Sequence, residues 1–383
     1  MNSSKKKILI ITGRYLPGYK DGGPVRSIKN LTDFLGNEYD FNILTCDRDH
    51  GDIKPYENIK VNEWNRLGNA NVYYVPPKGF KFSVIKRLAN DTHLVYVCGC
   101  FSDYAINTLI LKRFNKIKKP VVVAAMGLFM PNALKKKPLK YKIFIKTFKI
   151  LELFRNIYWS ATTEYEGECI KAFVDKNAKC FIAEDLPRVI KDYDTVKNKS
   201  VGELNVAFLS RISPEKNLIY AIKILKNVKA NIKFTIYGPI YDKEYWGSCE
   251  EELKKLPHNI QWKYMGNVDS EMVVETIKQH HIFLFPTLGE NYGHVIQEFL
   301  SAGCPCVLSD QTPWLDLEYK GAGYVINLEN KEKFVRVIEE YAYMDSDMYN
   351  TCANRAFQYA VENSNNKVKN TGYRQIFDMR GNL

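Results

Sequence analysis

Short apolar runs, each followed by a stretch of helical pattern, recur along this chain and constrain its fold more than any other feature. The first run, residues 7–13, reads KILIITG and ends in glycine, as a buried parallel strand often does. Similar runs follow at residues 40–45, 72–75, 94–97 and 121–125, with helical patterns at 25–35 and 104–114. This alternation predicts a parallel sheet with helices on both faces.

The same alternation starts again after a polar stretch that contains Pro187. Apolar runs recur at 206–209, 234–238, 282–285 and 305–308, and helices are expected to begin at Leu218 and near His294. A chain of 383 residues is also too long for one compact core. The sequence therefore predicts two doubly wound α/β domains, at 1–186 and 203–360, joined by a linker at 187–202. Such sheets bind ligands at the carboxyl ends of their strands.

Composition narrows the class of protein and its partners. Hydrophobic residues make up 45% of the chain and charged residues 26%, which is typical of a globular protein. Roughly 18 consecutive apolar residues would be needed to span a bilayer, and no run reaches that length. The basic N-terminus precedes only a short apolar run at 8–11, which predicts no signal peptide and a cytoplasmic protein. The net charge of +12 suits phosphate or anionic lipid, and no nucleic-acid-binding signature accompanies it.

The nine cysteines are scattered and odd in number. Two Cys-x-Cys pairs, Cys98 with Cys100 and Cys304 with Cys306, lack the second pair or nearby histidines of a zinc site. We expect reduced, buried thiols and no metal.

The stretch 286–298, PTLGENYGHVIQE, combines a strand end, a glycine-containing turn and a helix start near Gly293. Backbone N–H groups at such a helix start favour an anion such as a diphosphate. Glu290 lies in the turn and Glu298 about two helical turns further on. Carboxylates accept hydrogen bonds from vicinal hydroxyls, so we expect Glu290 to meet a sugar and Glu298 a ribose. The alternative is a loop carboxylate and a solvated helix position.

Two further strand-to-helix turns carry candidate residues. Arg211 and Lys216 are five residues apart in LSRISPEKN and could converge on one diphosphate, or they could be surface charges. Gly22 and Gly23 follow the first strand, where missing side chains would let the backbone approach a ligand, unless they form only a turn.

Taken in order, GGPVRS at 22–27, SRISPEKN at 210–217 and ENYGHVIQEFLSAGCP at 290–305 resemble family four of the retaining glycosyltransferases. That family has the GT-B fold, two Rossmann-like domains facing across a cleft, and its fold implies that residues 361–383 return to the N-terminal domain. The stretch SDQTPW at 309–314 resembles the bacterial surface-polysaccharide branch of the family.

The resemblance assigns roles residue by residue. It implies that Arg211 and Lys216 hold the donor diphosphate, Glu290 the transferred hexose and Glu298 the ribose. It also implies backbone contacts to sugar and phosphate from four consecutive residues: Asn291, Tyr292, Gly293 and His294. The implied reaction moves a hexosyl unit, with retention, from a nucleotide sugar to a glycan, with UDP expected ahead of GDP and a lipid-linked acceptor expected. Two cations at the diphosphate imply no metal.

The N-terminal domain departs from the family pattern. Stretches that often carry histidine or arginine facing the sugar read YVCG at 96–99 and AAMG at 124–127, and Ser160 replaces a histidine. The sequence therefore assigns no catalytic base in this domain.

The segment 134–155, from Leu134 to Arg155, holds seven lysines and one arginine against a single acid, Glu152. A helix here would place Lys135, Lys142, Lys146 and Lys149 on one face and Tyr141, Phe144, Phe148 and Leu151 on the other. The lysines could be a solvated face, or they could meet anionic lipid and a lipid-linked acceptor. Two other functions stay open: a nucleotide-sugar epimerase of similar fold, and a catalytically silent scaffold at a membrane surface.

Overall fold

The computed structural model describes residues 5–130, 138–190, 196–269, 272–290 and 292–379, with only the backbone at 138–142. The chain divides into two compact units. Unit 1 comprises Met1–Val189 and Lys367–Leu383, and unit 2 comprises Ile190–Asn366.

Unit 1 is built on an eight-stranded sheet with the order β3-β4-β2-β1-β5-β6-β7-β8. All neighbours are parallel except β3 and β4. Its strands are β1 (Lys6–Ile11), β2 (Tyr39–Cys46), β3 (Trp64–Leu67), β4 (Ala70–Val75), β5 (Leu94–Cys98), β6 (Val121–Ala124), β7 (Tyr158–Ala161) and β8 (Cys180–Ile182). Its described helices are α1 (Gly23–Leu35), α2 (Phe82–Asn90), α3 (Asp103–Arg113), α4 (Pro138–Ile150), α5 (Glu164–Phe173) and, near the C-terminus, α13 (Tyr373–Phe377).

Both faces of this sheet are buried, which explains its continuous apolar strands. Ile8 and Ile10 lie in one apolar cluster, and Leu9 and Ile11 lie in another. Successive strand residues point to opposite faces, so a strand covered on both sides needs apolar residues at every position.

The short helix α13 belongs to unit 1. The Phe377 ring lies 5.2 Å from the ring of Tyr39, 5.7 Å from Phe41 and 6.0 Å from Tyr96, centroid to centroid. These edge-on contacts pack residues 373–377 against the first sheet although they lie at the far end of the sequence.

Unit 2 is built on a six-stranded, wholly parallel sheet with the order β11-β10-β9-β12-β13-β14. Its strands are β9 (Glu203–Leu209), β10 (Asn231–Tyr237), β11 (Ile260–Tyr264), β12 (Ile282–Phe285), β13 (Cys306–Ser309) and β14 (Gly323–Ile326). Its helices are α6 (Leu218–Leu225), α7 (Lys243–Leu253), α8 (Val273–Ile277), α9 (His294–Ser301), α10 (Leu317–Lys320), α11 (Lys331–Tyr343) and α12 (Ser346–Lys369), which contains the boundary with unit 1. The predicted fold class, two doubly wound α/β units, is confirmed.

The basic segment folds as predicted over only part of its length. Phe148 is buried and Phe144 half-buried in unit 1, while Lys146 and Lys149 are exposed. The prediction for Leu151 is wrong, because this side chain is 54% exposed. Helix α4 ends at Ile150, so helical spacing no longer sets the direction of the next residue, and Leu153 is buried instead. Lys135 lies outside the described residues, and the side chains of Tyr141 and Lys142 are not described.

All nine cysteines are free thiols, and seven of them are buried. Burial raises the pKa of Cys304 to about 11, which keeps that thiol protonated and unreactive. Among the described helices, none combines the length and apolar character that a membrane crossing requires.

Candidate functional site

Three of the sequence motifs meet at one edge of the sheet in unit 2. Strands β9, β12 and β13 are neighbours in the sheet and run parallel. The turn at 210–217 follows β9, the loop at 286–290 follows β12, and the stretch 309–314 begins at the end of β13. Parallel neighbours place their carboxyl ends at the same edge, which is where such sheets bind ligands.

The turn after β9 is tied to the loop after β12 through backbone groups. The Glu215 carbonyl accepts hydrogen bonds from the Leu288 N–H at 2.9 Å and the Thr287 hydroxyl at 3.0 Å. The Asn217 side chain donates to the Pro286 carbonyl at 2.9 Å. Asn217 itself takes a left-handed backbone conformation, with φ of 60°, which asparagine tolerates better than most residues. These bonds fix the position of Lys216, which lies between Glu215 and Asn217.

The stretch after β13 holds the same loop from its other side. The Ser309 hydroxyl donates to the Thr287 carbonyl at 2.6 Å, and the Glu290 N–H donates to the Gln311 carbonyl at 3.0 Å. The Trp314 indole N–H donates to the Tyr292 carbonyl at 2.6 Å. The sequence showed SDQTPW only as a resemblance to a family branch. The structure shows that this stretch supports the loop that carries Glu290.

Lys216 and Glu290, 74 positions apart in sequence, form an ion pair. Their side chains are only 11% and 17% exposed, and the Lys216 ammonium also lies 5.6 Å from the centre of the Phe285 ring. Partial burial strengthens such a pair because water screens it less. The reading of Lys216 as a plain surface charge is therefore wrong. An ammonium group and a carboxylate in contact can bind one ligand together, the ammonium group at a phosphate and the carboxylate at a hydroxyl.

Arg211 lies on the same turn but is exposed to solvent. Its guanidinium carbon lies 5.4 Å from the centre of the Tyr241 ring, within cation–π distance. The structure thus places Lys216 and Glu290 in contact. Arg211 does not take part in this ion pair and lies against the ring of Tyr241 instead. Sequence reasoning missed Tyr241, which no motif marks.

The N-terminus of α9 has the form that the sequence predicts for an anion site. Gly293 precedes the helix with φ of 78° and, being glycine, has no side chain of its own to cap the helix start. A side chain at this position would meet the Ile296 side chain at 2.7 Å as well as an unfavourable backbone conformation. The first N–H groups of a helix have no partner within it. The His294 ring lies 4.8 Å from that of Tyr292, and Asn291 lies outside the described residues.

Glu298 lies on α9 and is 4% exposed. The alternative reading, a solvated helix position, is therefore wrong. A buried carboxylate is costly unless polar groups satisfy it, so its retention in this helix calls for polar partners.

Gly22 and Gly23 belong to unit 1, whereas the other candidates belong to unit 2. Gly22 has φ of 63° and precedes α1, while an added Cβ on either glycine would meet nothing within 4 Å. The turn that contains them is held by Asp49, which is 3% exposed and accepts hydrogen bonds from the Tyr19 N–H at 2.8 Å and the Lys20 N–H at 3.1 Å.

No sequence motif indicated this structural role of the stretch 47–49. Asp47 is 2% exposed and pairs with the Arg48 side chain, and Asp49 is also buried. The position of Asp47 and Asp49 could have indicated this role. Both follow directly after a buried strand, where a carboxylate can accept hydrogen bonds from the turn that follows a neighbouring strand.

The departures from the family pattern in unit 1 take part in two hydrogen-bonded groups, one around Glu166 and one around Ser160. Glu166, 1% exposed, accepts hydrogen bonds from the Thr162 N–H at 2.7 Å and hydroxyl at 2.8 Å, and also from the Gly127 N–H. Ser160 is buried and accepts a hydrogen bond from the Tyr96 hydroxyl at 3.2 Å. The residue in the histidine's place is thus part of the core.

Comparison with known proteins gives a family match over part of the chain and a fold for the whole of it. Residues 189–359 match the family of glycosyl transferases group 1. A comparison with the curated proteins found no match. The chain resembles the crystal structure of HepE from Anabaena in complex with UDP and glucose, with 14% identity, a TM-score of 0.63, and coverage of 93% of this chain and 95% of that one.

Two other solved structures are similar over almost the whole chain. WaaG, a glycosyltransferase involved in lipopolysaccharide biosynthesis, has 12% identity, a TM-score of 0.63, and coverage of 97% and 99%. The UDP-forming α,α-trehalose-phosphate synthase from Burkholderia vietnamiensis has 11% identity, a TM-score of 0.64, and coverage of 99% and 98%. At such identities the likeness shows the fold, and the predicted GT-B fold is confirmed.

Proposed function

We propose that this chain, whose residues 189–359 match the family of glycosyl transferases group 1, is a glycosyltransferase that moves a hexosyl unit from a UDP-sugar to a glycan with retention of anomeric configuration. The observation that supports this most directly is the contact of Lys216 with Glu290 beside the start of α9, which follows Gly293. A UDP-sugar needs a cation beside its diphosphate and a hydrogen-bond acceptor for the hydroxyls of its sugar. Backbone N–H groups can bind the phosphate oxygens as well. Unit 2 offers all three on adjoining strand ends.

UDP is proposed ahead of GDP. Two of the similar structures involve UDP: HepE forms a complex with UDP and glucose, and the trehalose-phosphate synthase is UDP-forming. Glu298 is proposed to accept hydrogen bonds from the ribose, a role that suits a carboxylate held on the helix behind the phosphate site.

The difficult chemical event is departure of the nucleoside diphosphate from the anomeric carbon. Negative charge grows on the leaving phosphate as the sugar becomes oxocarbenium-like, and fixed cations lower the energy of that state. We propose that the Lys216 ammonium leaves Glu290 for the phosphate when the donor binds, and that Glu290 then accepts hydrogen bonds from the hexose hydroxyls. Arg211 adds a second cation from the outer side of the turn.

No metal is needed in this proposal, because Lys216 and Arg211 neutralise the leaving diphosphate. Transfer should therefore persist in EDTA. Loss of all activity in EDTA, with recovery on addition of magnesium or manganese, would contradict this part of the proposal.

The acceptor is proposed to be a lipid-linked glycan in surface-polysaccharide assembly. Two observations support this choice: the SDQTPW stretch, which resembles the bacterial surface-polysaccharide branch, and the likeness to WaaG, a protein involved in lipopolysaccharide biosynthesis.

A peripheral place on the inner face of the plasma membrane is proposed from α4. Ile143 and Ile150 are 57% and 70% exposed on a helix whose Lys146 and Lys149 are also exposed. Exposed apolar side chains next to lysines match a helix that lies in the headgroup region of an anionic membrane. Phe148 anchors the opposite face in unit 1, so the helix can present this surface without unfolding.

Liposome sedimentation tests the membrane proposal. Replacing Lys142, Lys146 and Lys149 by glutamine should weaken binding to anionic liposomes and flatten its salt dependence, because each basic residue near an anionic leaflet contributes about 1 kcal/mol. Ile143→Ser with Ile150→Ser should weaken binding at high salt as well. The control is Lys223→Gln, an exposed lysine of unit 2. Unchanged sedimentation of the triple variant would mean that the lysines form only a solvated face.

Product analysis tests the reaction. The purified protein should release UDP from one UDP-hexose in a panel and, with a matching acceptor, give a product whose anomeric configuration by NMR equals that of the donor. Conversion of one UDP-sugar into its epimer would favour the epimerase instead. Absence of turnover and of UDP-sugar binding would favour the scaffold.

A further inference from the structure

A basic concavity of about 960 Å³ lies in unit 1, and no motif of the sequence pointed to it. Its ionisable lining groups are all potential cations: Lys6, Lys86, His93, Lys116, Lys118 and Lys119. We propose that this concavity, here named the lysine pocket, is a binding site for a small phosphate-bearing anion. It lies in unit 1, whereas the residues proposed to bind the donor diphosphate lie in unit 2.

The parallel sheet explains why these residues meet. Strands β1, β5 and β6 are neighbours, and the pocket lies at their amino ends. Lys6 opens β1, His93 directly precedes β5, and Lys119 and Pro120 precede β6. The amino ends of parallel strands share one edge, which is the edge opposite the carboxyl ends where such folds bind their usual ligands.

Hydrogen bonds fix the loop that carries three of the lysines. The Asn90 side chain, at the end of α2, donates to the Lys116 carbonyl at 3.1 Å and accepts from the Lys118 N–H at 3.5 Å. The Lys112 ammonium, on α3, donates to the Lys119 carbonyl at 2.9 Å. The loop is thus held by both helices, and this order reduces the entropic cost of binding a ligand.

Positive charge in the pocket exceeds what the described residues neutralise. Lys6 pairs with Asp378 at 2.7 Å. In the chain as far as it is described, no carboxylate pairs with the other four lysines of the pocket, and none lines it. Like charges around one concavity repel over a Debye length of about 8 Å at physiological salt. An anion in the pocket would relieve that repulsion.

The His93 ring has a defined orientation at the pocket. Its Nδ1 accepts a hydrogen bond from the Lys7 N–H at 3.0 Å. The proton of the neutral ring must therefore be on Nε2, which makes this atom a donor. The ring adds a directional N–H group to the lysine ammonium groups.

The lining indicates the chemistry of the ligand. Lysine ammonium groups act as compact point charges that bind phosphate oxygens, and five of them line the pocket. Pro120 and Met379 add apolar surface. The volume falls within the range of about 300–1,000 Å³ typical of small-molecule sites. These features fit a phosphorylated small molecule.

Titration of the full-length protein with tripolyphosphate, followed by NMR of the histidine rings, tests the proposal. His93→Gln identifies the His93 signal. Tripolyphosphate should move this signal in a saturable way at low salt, and the signal of His294 separately reports the site in unit 2. In the variant Lys86→Gln/Lys116→Gln/Lys118→Gln the apparent Kd at His93 should rise about tenfold, while the Kd at His294 stays within twofold.

The matched control is Lys54→Gln/Lys60→Gln/Lys176→Gln, which removes three exposed lysines of unit 1 outside the pocket. It should leave the Kd at His93 within twofold of wild type. A His93 signal that tripolyphosphate does not move, or an equal effect of the two triple variants, would overturn the proposal and show that the lysines only complement the adjacent helix ends.

Vesicles distinguish a soluble phosphate from a lipid headgroup. Phosphatidylglycerol vesicles should bind the pocket variant as well as wild type, because the proposed ligand is a small soluble anion. The proposal would be overturned if the pocket variant lost vesicle binding and tripolyphosphate did not move the His93 signal of the wild type. The lysines would then contact a membrane. Neither result depends on sugar transfer, so the test stands apart from the proposed reaction.

Discussion

The turn at 18–24 in unit 1 and the turn at 210–217 in unit 2 occupy equivalent places, each between a central strand and the helix that follows it, and yet they are built in opposite ways. In unit 1 the turn is glycine-rich, and buried Asp49 takes up the N–H groups of Tyr19 and Lys20. In unit 2 the turn carries Arg211 and Lys216, and its carbonyls and side chains are tied to the loop that carries Glu290.

This difference teaches that glycine in a turn does not by itself make a phosphate site. A carboxylate of the protein already occupies two backbone donors of the unit 1 turn, so an anion bound at those donors would have to displace it and meet its charge. The unit 2 turn instead presents cations to the edge of the sheet. The comparison predicts that loss of charge in the unit 2 turn affects ligand binding and chemistry, whereas loss of the Asp49 charge at the unit 1 turn affects stability.

The largest effect is expected from Lys216→Ala. Removing a preorganised charge that stabilises a leaving phosphate should lower turnover by about 100-fold or more and weaken UDP binding. Steady-state kinetics and calorimetry with UDP measure both quantities. Lys223→Ala, which removes an exposed lysine of α6, should change neither. If Lys216→Ala has no effect on either quantity, the donor site has been assigned to the wrong turn.

The two glutamates separate binding from chemistry within unit 2. Glu298→Gln should weaken UDP binding by about tenfold, because a charged hydrogen bond to the ribose is lost. Glu290→Gln should leave UDP binding nearly intact and lower the rate of transfer by about tenfold, because its proposed partner is the transferred hexose. Equal loss of UDP affinity in both variants would contradict this division of roles. Melting temperatures check that both variants remain folded.

Buried histidines in unit 2 and a buried aspartate in unit 1 should contribute to stability in acid with opposite signs. Burial lowers the pKa of His280 to about 3 and that of His281 to about 4, both in unit 2. An unfolded histidine has a pKa of about 6.5, so the unfolded state binds more protons below that pH and stability falls. Each histidine should cost unit 2 about 2 kcal/mol on going from pH 7 to pH 5.

Unit 1 contains the opposite case. Burial raises the pKa of Asp185 to about 6, above the unfolded value, so the folded state binds the proton first as pH falls. This group should stabilise unit 1 by about 1 kcal/mol at pH 5 relative to pH 7. Hydrogen exchange of β1 and β9, corrected for intrinsic rates, measures both units in one sample. His280→Gln should reduce the pH slope of unit 2 alone, and an unchanged slope would remove His280 as its cause.

The smallest effect is expected from Asp49→Asn in unit 1. The amide keeps the size of the carboxylate but weakens the hydrogen bonds from the Tyr19 and Lys20 N–H groups, which should cost about 1 kcal/mol of stability. UDP affinity should stay within twofold of wild type. Asp52→Asn, which changes an exposed acid on the same loop, should be milder. A large loss of UDP affinity with Asp49→Asn would mean that the unit 1 turn takes part in nucleotide binding.

The sequence could predict the fold because its signal is local and repeated. Continuous apolar runs such as 8–11 and 282–285 can be satisfied only by strands buried on both faces, and the helices between them force parallel order. The prediction failed at Leu151, where α4 has already ended and spacing along a helix no longer applies.

For the site, the sequence placed Lys216 and Glu290 at strand ends, because motif order and the alternation of strands and helices determine which residues reach that edge. Their mutual contact, the stacking of Arg211 on Tyr241 and the support of the Glu290 loop by Gln311 arise between segments distant in sequence. Only the tertiary structure decides such pairings, because they depend on which strands are neighbours. The lysine pocket has the same origin: its lysines are unremarkable singly, and adjacency of β1, β5 and β6 brings them to one place.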